Sequence, residues 1–162
     1  METSNDWNIK YVHGNLLDML DTFDAVLHGC NAFHTFGAGI AAQFREKHPQ
    51  TYAADLQTGM GDPLKIGTYS KSVVGECDVL NCYTQYRTAG FGASLLSRKP
   101  FDYDAFRKVL KAVKAEYTGK RIGMPMIGAG LAGGDWNVIS SIIISELRGE
   151  DVTVVQFQQQ TK

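Results

Sequence analysis

Polar and apolar residues alternate at the start of the chain and then give way to a continuous apolar run. Residues 7–13 alternate and stop at Gly14, which predicts a first strand and a turn. Residues 25–30 form an apolar run of strand length, interrupted only by His28 and Gly29. Because strands of this composition are covered on both faces, we expect this one near the centre of a sheet.

Helical spacing of apolar residues first appears after this central strand. A helix is predicted to begin at Gly39, to place Ile40, Phe44 and the stem of Lys47 on one face, and to end before Pro49. A shorter helical turn is predicted earlier, through Leu16, Leu17 and Leu20.

Two further helices are predicted behind aspartates that suit the N-cap position, Asp102 and Asp135. The apolar stripe of the first comprises Tyr103, Phe106, Leu110, Val113 and Tyr117. The apolar stripe of the second comprises Val138, Ile139, Ile142, Ile143 and Leu147.

The remaining strands complete an α/β pattern. Residues 64–74 and 76–83 predict a hairpin joined at Gly75, residues 121–127 a short strand, and residues 152–157 a last strand. Strands that alternate with helices predict a sheet between two helix layers, with some antiparallel pairing from the hairpin. With 162 residues, 44% of them hydrophobic, we expect one domain over residues 1–162.

Charge and cysteine content narrow the classes of partner. The formal net charge is -1, so no global positive field favours nucleic acid, whereas a small anionic ligand needs only local amides. The three cysteines are odd in number and lie in apolar runs, which indicates reduced thiols and a cytoplasmic location. We expect a monomer, without a secretory leader or membrane span.

Metal binding is not expected. His28, Cys30 and His34 lack the ligand spacing of common zinc sites. Cys30 and Cys82 are better interpreted as small buried apolar residues.

Two glycine-rich segments carry the candidate chemistry. Residues 37–42 fit the Gly-x-Gly-x-x-Ala variant of a dinucleotide fingerprint and open a helix, where backbone amides and the helix dipole favour an anion. A Rossmann oxidoreductase must therefore be considered. However, that fingerprint has its first glycine directly after a strand and an acidic residue at the end of the next strand. Here residues 32–36 separate the strand from the first glycine, and no acidic residue ends the next strand.

The second glycine cluster, residues 128–134, also follows a strand and precedes a helix. If the two strands are neighbours, both loops lie at one sheet edge, where open α/β folds bind ligands. The loops then clasp a diphosphate; the alternative is that the glycines only permit tight turns.

Four separated motifs together resemble one known family. They are Gly14-Asn15-Leu16-Leu17, His28-Gly29-Cys30-Asn31, the stretch from Phe36 to Ala41, and the stretch from Pro125 to Trp136. In this order they resemble the macro domain family, and within it the branch of ADP-ribose 1''-phosphate phosphatases and related de-ADP-ribosylating enzymes. The resemblance implies a three-layer α/β/α macro-type domain with a mixed, mostly parallel central sheet.

The resemblance also implies a ligand site. Diphosphate and distal ribose would contact Gly37, Ala38, Gly39, Ile40, Ile127, Gly128, Ala129, Gly130, Leu131 and Ala132. Asn31 would hydrogen-bond the distal ribose, and the adenine would lie near Asn15 and Leu16. Asn15 stands where most members have aspartate. Phe157 either stacks on the base or belongs to the core.

The candidate catalytic residues His28, Asn31 and Asp135 have competing interpretations. His28 is either a general acid or base that points into the cleft, or a core histidine satisfied by hydrogen bonds. Asp135 either orients water or only caps its helix. The strand at residues 79–85 lacks the lysine nucleophile of some relatives, and Ala132 replaces their aspartate, which favours direct hydrolysis.

The resemblance therefore predicts a hydrolase without a cofactor that removes phosphate from ADP-ribose 1''-phosphate or hydrolyses an ester such as O-acyl-ADP-ribose. The alternatives are a non-catalytic reader of ADP-ribose, a hydrolase of mono-ADP-ribosylated protein and, more weakly, the Rossmann oxidoreductase. Tyr83, Tyr86 and Phe91 are candidates for a flap over the distal ribose, or belong to a plain surface loop.

Overall fold

The structure, a computed structural model, describes residues 9–87, 100–130 and 132–158. The strands in this part of the chain are β1 (Lys10–Gly14), β2 (Ala25–Cys30), β3 (Tyr69–Val74), β4 (Cys77–Tyr83), β5 (Arg121–Pro125) and β6 (Asp151–Phe157). The α-helices are α1 (Gly39–Lys47), α2 (Pro49–Leu56), α3 (Tyr103–Tyr117) and α4 (Trp136–Glu146). Short 3-10 helices cover Leu16–Thr22 and Pro63–Lys65.

The strands form one sheet in the order β1-β6-β5-β2-β4-β3. All neighbours are parallel except β3 and β4, which form the predicted antiparallel hairpin. β2 lies between β5 and β4, and its residues Ala25, Val26 and Leu27 are fully buried, as the apolar run predicted. The prediction of a central strand is therefore confirmed.

Helices cover both faces of the sheet. The larger core cluster joins the sheet to α3 and α4, through residues such as Phe106 and Ile139. A second cluster on the other face joins it to the first 3-10 helix and to Phe44 of α1. The three-layer α/β/α arrangement with a mostly parallel sheet is thus confirmed. No described helix is long and apolar enough to cross a membrane.

Sequence patterns placed several element boundaries incorrectly. β3 begins only at Tyr69, because Asp62 caps a 3-10 turn by accepting a hydrogen bond from the Leu64 amide. Helix α2 was not predicted, since Pro49 ends one helix but occupies the first turn of the next. The residues that α2 buries, Thr51 and Asp55, are polar and show no apolar stripe.

Two residues assigned to apolar helix faces are exposed. Val138 is 39% exposed, whereas its neighbour Ile139 is fully buried with Ile142, Ile143 and Leu147. Lys47 is also exposed at the end of α1. The stripe of α4 is therefore narrower than the sequence suggested.

His28 lies in the core and outside the cleft lining, which agrees with the second of its two interpretations, a core histidine satisfied by hydrogen bonds. Its side chain is fully buried, and its Nε2 lies 2.6 Å from Oδ1 of Asn81 on β4. The ring packs against Phe36 and Phe44, with centroids 5.6 and 4.8 Å away. Burial lowers the pKa of His28 to about 4, which the Asn81 contact opposes only in part.

The face of α4 that packs on the sheet can be tested with two neighbouring substitutions. Replacing Ile139 with Ala should lower the free energy of unfolding by about 2–5 kcal/mol, because a buried aliphatic side chain leaves a cavity. Replacing the exposed Val138 with Ala should change it by less than about 0.5 kcal/mol. Urea denaturation of both variants measures this, and equal losses would contradict the burial pattern.

The buried, neutral His28 predicts a component of acid sensitivity. Its pKa is about 4 in the folded chain and about 6.5 when unfolded, so the unfolded chain binds more protons between these values. Stability should therefore fall as the pH drops from 6.5 to 4, by up to about 3 kcal/mol from this residue.

The variant His28→Gln removes the titrating group, so its free energy of unfolding should fall less steeply over the same pH range. Urea denaturation at several pH values gives both slopes. Equal slopes would show that His28 titrates normally in the folded protein.

Candidate functional site

A cleft of about 590 Å³ opens at the carboxyl ends of β2 and β5. These strands are parallel neighbours, so the loops that follow them meet at one edge of the sheet. The lining residues are Gly29, Cys30, Asn31, Thr35, Gly37, Ala38, Gly39, Ile40, Ala41, Thr84, Gln85, Pro125, Met126, Ile127, Gly128, Gly130 and Ala132. Both glycine-rich loops therefore contribute to one concave site.

Asn31 organises the loop after β2. Its Oδ1 accepts hydrogen bonds from the amides of Phe33, at 2.8 Å, and Thr35, at 3.4 Å. Its Nδ2 donates to the Thr35 carbonyl at 3.2 Å. Asn31 is 8% exposed and lines the cleft, so it holds the loop and still borders the space where a ligand would lie.

The same loop is anchored at His34, which adopts a left-handed φ of 60°. Its Nδ1 lies 2.8 Å from a carboxylate oxygen of the buried Asp55. Its carbonyl accepts a hydrogen bond from the hydroxyl of Tyr52, also on α2, at 2.8 Å. These contacts fix a backbone conformation that residues other than glycine rarely adopt.

Helix α1 begins at the cleft without a side-chain cap. Its N-cap residue is Ala38, and no acidic residue lies in its first turn. An ideal Cβ built on Gly37 or Gly39 would have no neighbour within 4 Å. The first amides of α1 and the open space beside both glycines therefore form a place where an anion can approach the backbone.

The second glycine loop is shaped by packing. Gly128 has a φ of +79°, and a Cβ there would lie 2.5 Å from the Phe101 ring. The Gly134 amide donates to the Gly128 carbonyl at 2.7 Å. Gly130 differs, because a Cβ there would meet nothing within 4 Å, and it lines the cleft.

The helix that follows this loop has a cap. Oδ1 of Asp135 accepts from the Asn137 amide at 2.9 Å, and the Asp135 amide donates to the Tyr103 hydroxyl at 2.9 Å. Asp135 is exposed and outside the lining of the cleft. The side chain therefore occupies the anion position at the start of α4.

The described lining residues carry no charged side chain. Cys30 is the titratable side chain among them, and burial raises the pKa of its thiol well above the usual value. Backbone amides, the Asn31 and Gln85 amides, and two threonine hydroxyls supply the polar contacts of the site. Such a lining suits hydrogen bonding and anion binding more than acid–base chemistry by a side chain.

The structure gathers most of the predicted ligand residues into the cleft. Those that line it are Asn31, Gly37, Ala38, Gly39, Ile40, Ile127, Gly128, Gly130 and Ala132. Those that lie elsewhere are Asn15, Leu16, His28, Ala129, Asp135 and Phe157. Leu131 and residues 88–93 of the suggested flap fall outside the described part of the chain.

The residues predicted for the adenine end lie close to one another but outside the cleft lining. β1 pairs with β6 so that Gly14 is opposite Phe157. Asn15 follows directly, and its Oδ1 accepts from the Leu17 amide while its Nδ2 donates to Gln43. Phe157 is 64% exposed, so it does not belong to the core.

Sequence reasoning missed the side chains that β4 brings to the cleft. Thr84 and Gln85 follow β4, which is the other parallel neighbour of β2. A prediction of the strand order could have identified them, because β5, β2 and β4 are adjacent and parallel and therefore end at the same sheet edge.

Comparisons with known proteins agree with this architecture. Protein-family models gave no match to the chain. The chain is 31% identical over 160 residues to an uncharacterised 17.5 kDa protein from the tk-vs intergenic region of Enterobacteria phage T4, covering 93% of this chain and 97% of that protein. It is 30% identical over 77 residues to an ADP-ribose 1''-phosphate phosphatase of Candida glabrata, covering 48% of this chain and 39% of the phosphatase.

Solved structures show the same fold. The macrodomain of Mycobacterium tuberculosis DarG superposes with a TM-score of 0.71 at 22% identity, covering 94% of this chain and 98% of that one. A Trypanosoma brucei macrodomain in complex with ADP-ribose gives a TM-score of 0.60 at 13% identity, covering 98% and 67% respectively. Motifs, sheet order and these similarities agree that the chain has the fold of the macrodomains.

Proposed function

We propose that the cleft binds ADP-ribose or a derivative of it. The observation that carries the proposal is the uncapped start of α1, which opens onto the cleft beside Gly37 and Gly39. A diphosphate needs several backbone donors and room for its oxygens, and both are present there. The T. brucei macrodomain in complex with ADP-ribose has the same fold, which supports the choice of ligand.

The difference in capping between α1 and α4 supports a position of the diphosphate at the first loop. Asp135 already places a carboxylate at the start of α4, where a second anion would be repelled. The second loop then encloses the ligand through Gly130 and Ala132 and through the apolar side chain of Ile127. In this arrangement Asn31 contacts the distal ribose with the amide hydrogen that it does not donate to Thr35.

The adenine end of the ligand extends toward Asn15, Leu16 and Phe157. The exposed ring of Phe157 provides a surface on which a base can stack. Asn15 has one lone pair of Oδ1 beyond its contact with the Leu17 amide, which suits the adenine amino group. Because this contact is uncharged, we expect it to be weaker than that of an aspartate.

We further propose that the protein releases phosphate from ADP-ribose 1''-phosphate. The similarity to the C. glabrata phosphatase over 77 residues supports this choice. Water would attack phosphorus, the bond from phosphorus to the 1'' oxygen would break, and that oxygen would take up a proton. Since the described lining residues hold no charged side chain, the polar amides bind and orient the substrate, and its own phosphate is the available base.

A reader of ADP-ribose is the second candidate. The observation that favours it is the same lining, in which the titratable side chain is the Cys30 thiol with its raised pKa. Enzymes usually place a group with a pKa near neutrality at the reacting atoms. A hydrolase of mono-ADP-ribosylated protein would use the same cleft, so the choice depends on measured turnover.

Binding can be tested at Gly37, where substitution should leave the fold intact. Its φ lies outside the left-handed region, and a Cβ would meet no atom within 4 Å. The variant Gly37→Val should lower ADP-ribose affinity at least about tenfold, because a branched side chain fills the space beside the α1 amides. Isothermal titration calorimetry measures the change.

The matched control is Ala53→Val, which adds a larger apolar side chain at an exposed site on α2, outside the cleft lining. Its affinity for ADP-ribose should equal that of the parent. If Gly37→Val also binds like the parent, the first glycine loop is only a turn and the proposed site is wrong.

Turnover can be tested with a change that preserves the Asn31 loop. Asn31→Asp retains the oxygen that accepts from the Phe33 and Thr35 amides but loses the donor and adds a negative charge near the phosphate. Phosphate release from ADP-ribose 1''-phosphate should fall by about two orders of magnitude, with weaker ADP-ribose binding.

A colorimetric phosphate assay, run beside calorimetry, separates the two candidate functions. Phosphate release by the parent that is lost in Asn31→Asp supports the phosphatase. Tight ADP-ribose binding by the parent without release of phosphate, acyl group or protein-linked ADP-ribose supports the reader instead.

A further inference from the structure

The hydroxyl of Thr84 lacks a hydrogen-bond partner. Among the buried side-chain nitrogen and oxygen atoms of residues 9–87, 100–130 and 132–158, Thr84 Oγ1 is the one without a hydrogen-bond partner. The side chain is fully buried, and its position is fixed on both sides. The Thr84 amide donates to the Cys30 carbonyl at 3.2 Å, and its carbonyl accepts from the Asp102 amide at 2.7 Å.

Comparable buried polar side chains nearby are satisfied. Thr51 and Ser72 share a hydrogen bond of 2.9 Å, and Asn81 contacts both His28 and Ser70. A buried hydroxyl without a partner is destabilising, and such groups in native proteins usually have a reason outside the folded chain itself. The exception at Thr84 is therefore informative.

Thr84 is also part of the cleft lining, beside Gly29 and Asn31. A Cβ built on Gly29 would lie 3.1 Å from Thr84 Oγ1, tighter than ordinary van der Waals contact, so the bare glycine leaves the hydroxyl uncrowded. Cys30 pairs with Tyr83 in the β2–β4 register, which puts Thr84 next to Asn31. The residue that carries the unpartnered hydroxyl thus lines the cleft at the end assigned above to the distal ribose.

We propose that the Thr84 hydroxyl hydrogen-bonds an oxygen of the distal ribose and so distinguishes ADP-ribose from ligands that end at the diphosphate. This inference rests on the proposed function of the cleft. A threonine hydroxyl both donates and accepts, which matches the hydroxyl groups of a sugar. A site that leaves a buried polar group unpaired with the wrong ligand discriminates against that ligand.

If the Thr84 hydroxyl contacts the ligand, its removal should weaken ADP-ribose binding without lowering the stability of the protein. Replacing Thr84 with Val keeps the shape of the side chain and removes only the hydroxyl, which bonds nothing within the described protein. The melting temperature of Thr84→Val should therefore equal or exceed that of the parent. Its affinity for ADP-ribose should fall about tenfold, the usual effect of one lost hydrogen bond to a ligand.

Two controls make the effect specific to the distal ribose. ADP lacks that sugar, so Thr84→Val should bind ADP as tightly as the parent does. Thr84→Ser retains the hydroxyl and should bind ADP-ribose within about twofold of the parent. Calorimetry with ADP and ADP-ribose, beside thermal denaturation of the three proteins, gives all the values.

Failure of this proposal can be distinguished from failure of the proposed function. If the parent does not bind ADP-ribose, the proposed function itself is wrong, and Thr84 has no ribose to contact. If the parent binds but Thr84→Val binds ADP-ribose equally well, or loses ADP affinity to the same extent, the Thr84 proposal alone is overturned. A lower melting temperature of Thr84→Val also overturns it, because the hydroxyl then has a partner within the protein.

Discussion

The buried carboxylate of Asp55 is the constraint on which the geometry of the first loop depends. It is fully buried on α2, where an unpaired charge would cost several kcal/mol, so it requires partners. His34 Nδ1 and the Tyr83 hydroxyl supply them at 2.8 and 2.6 Å. One comes from the loop after β2 and the other from the end of β4, so the carboxylate connects α2 to both elements that lead into the cleft.

Hydrogen bonds continue from this carboxylate into the sheet. The Tyr83 hydroxyl lies 2.8 Å from the Ser70 hydroxyl, which accepts from Nδ2 of Asn81 at 3.0 Å, and Oδ1 of Asn81 contacts His28. Each of these side chains is held by another, and a fully satisfied buried network is rigid. The wall of the cleft is therefore formed before a ligand binds, which reduces the entropy that binding would cost.

How far the sequence predicted the fold depended on the type of side chain that each element buries. Helix α3 was predicted because its buried residues are apolar at helical spacing behind Asp102, whereas α2 buries Thr51 and Asp55 and shows no such pattern. The cleft followed from glycines next to strand ends. The orientation of the His28 side chain could not be predicted, because a strand buried on both faces has no polar side that indicates where a residue points.

The two glycine loops look alike in sequence, but their glycines differ in the contacts that a side chain would make. Gly128 and Gly134 are required by the fold, because a Cβ at either would lie less than 3 Å from Phe101 or from the Gly128 carbonyl. Gly37 and Gly39 both meet no neighbour, but Gly39 has a left-handed φ of +61° that favours glycine, whereas neither a contact nor a positive φ calls for glycine at Gly37. The open space beside Gly37 is where the proposed anionic ligand would approach the α1 amides. Packing thus explains the glycines of the second loop, and the proposed ligand site depends on the open space of the first.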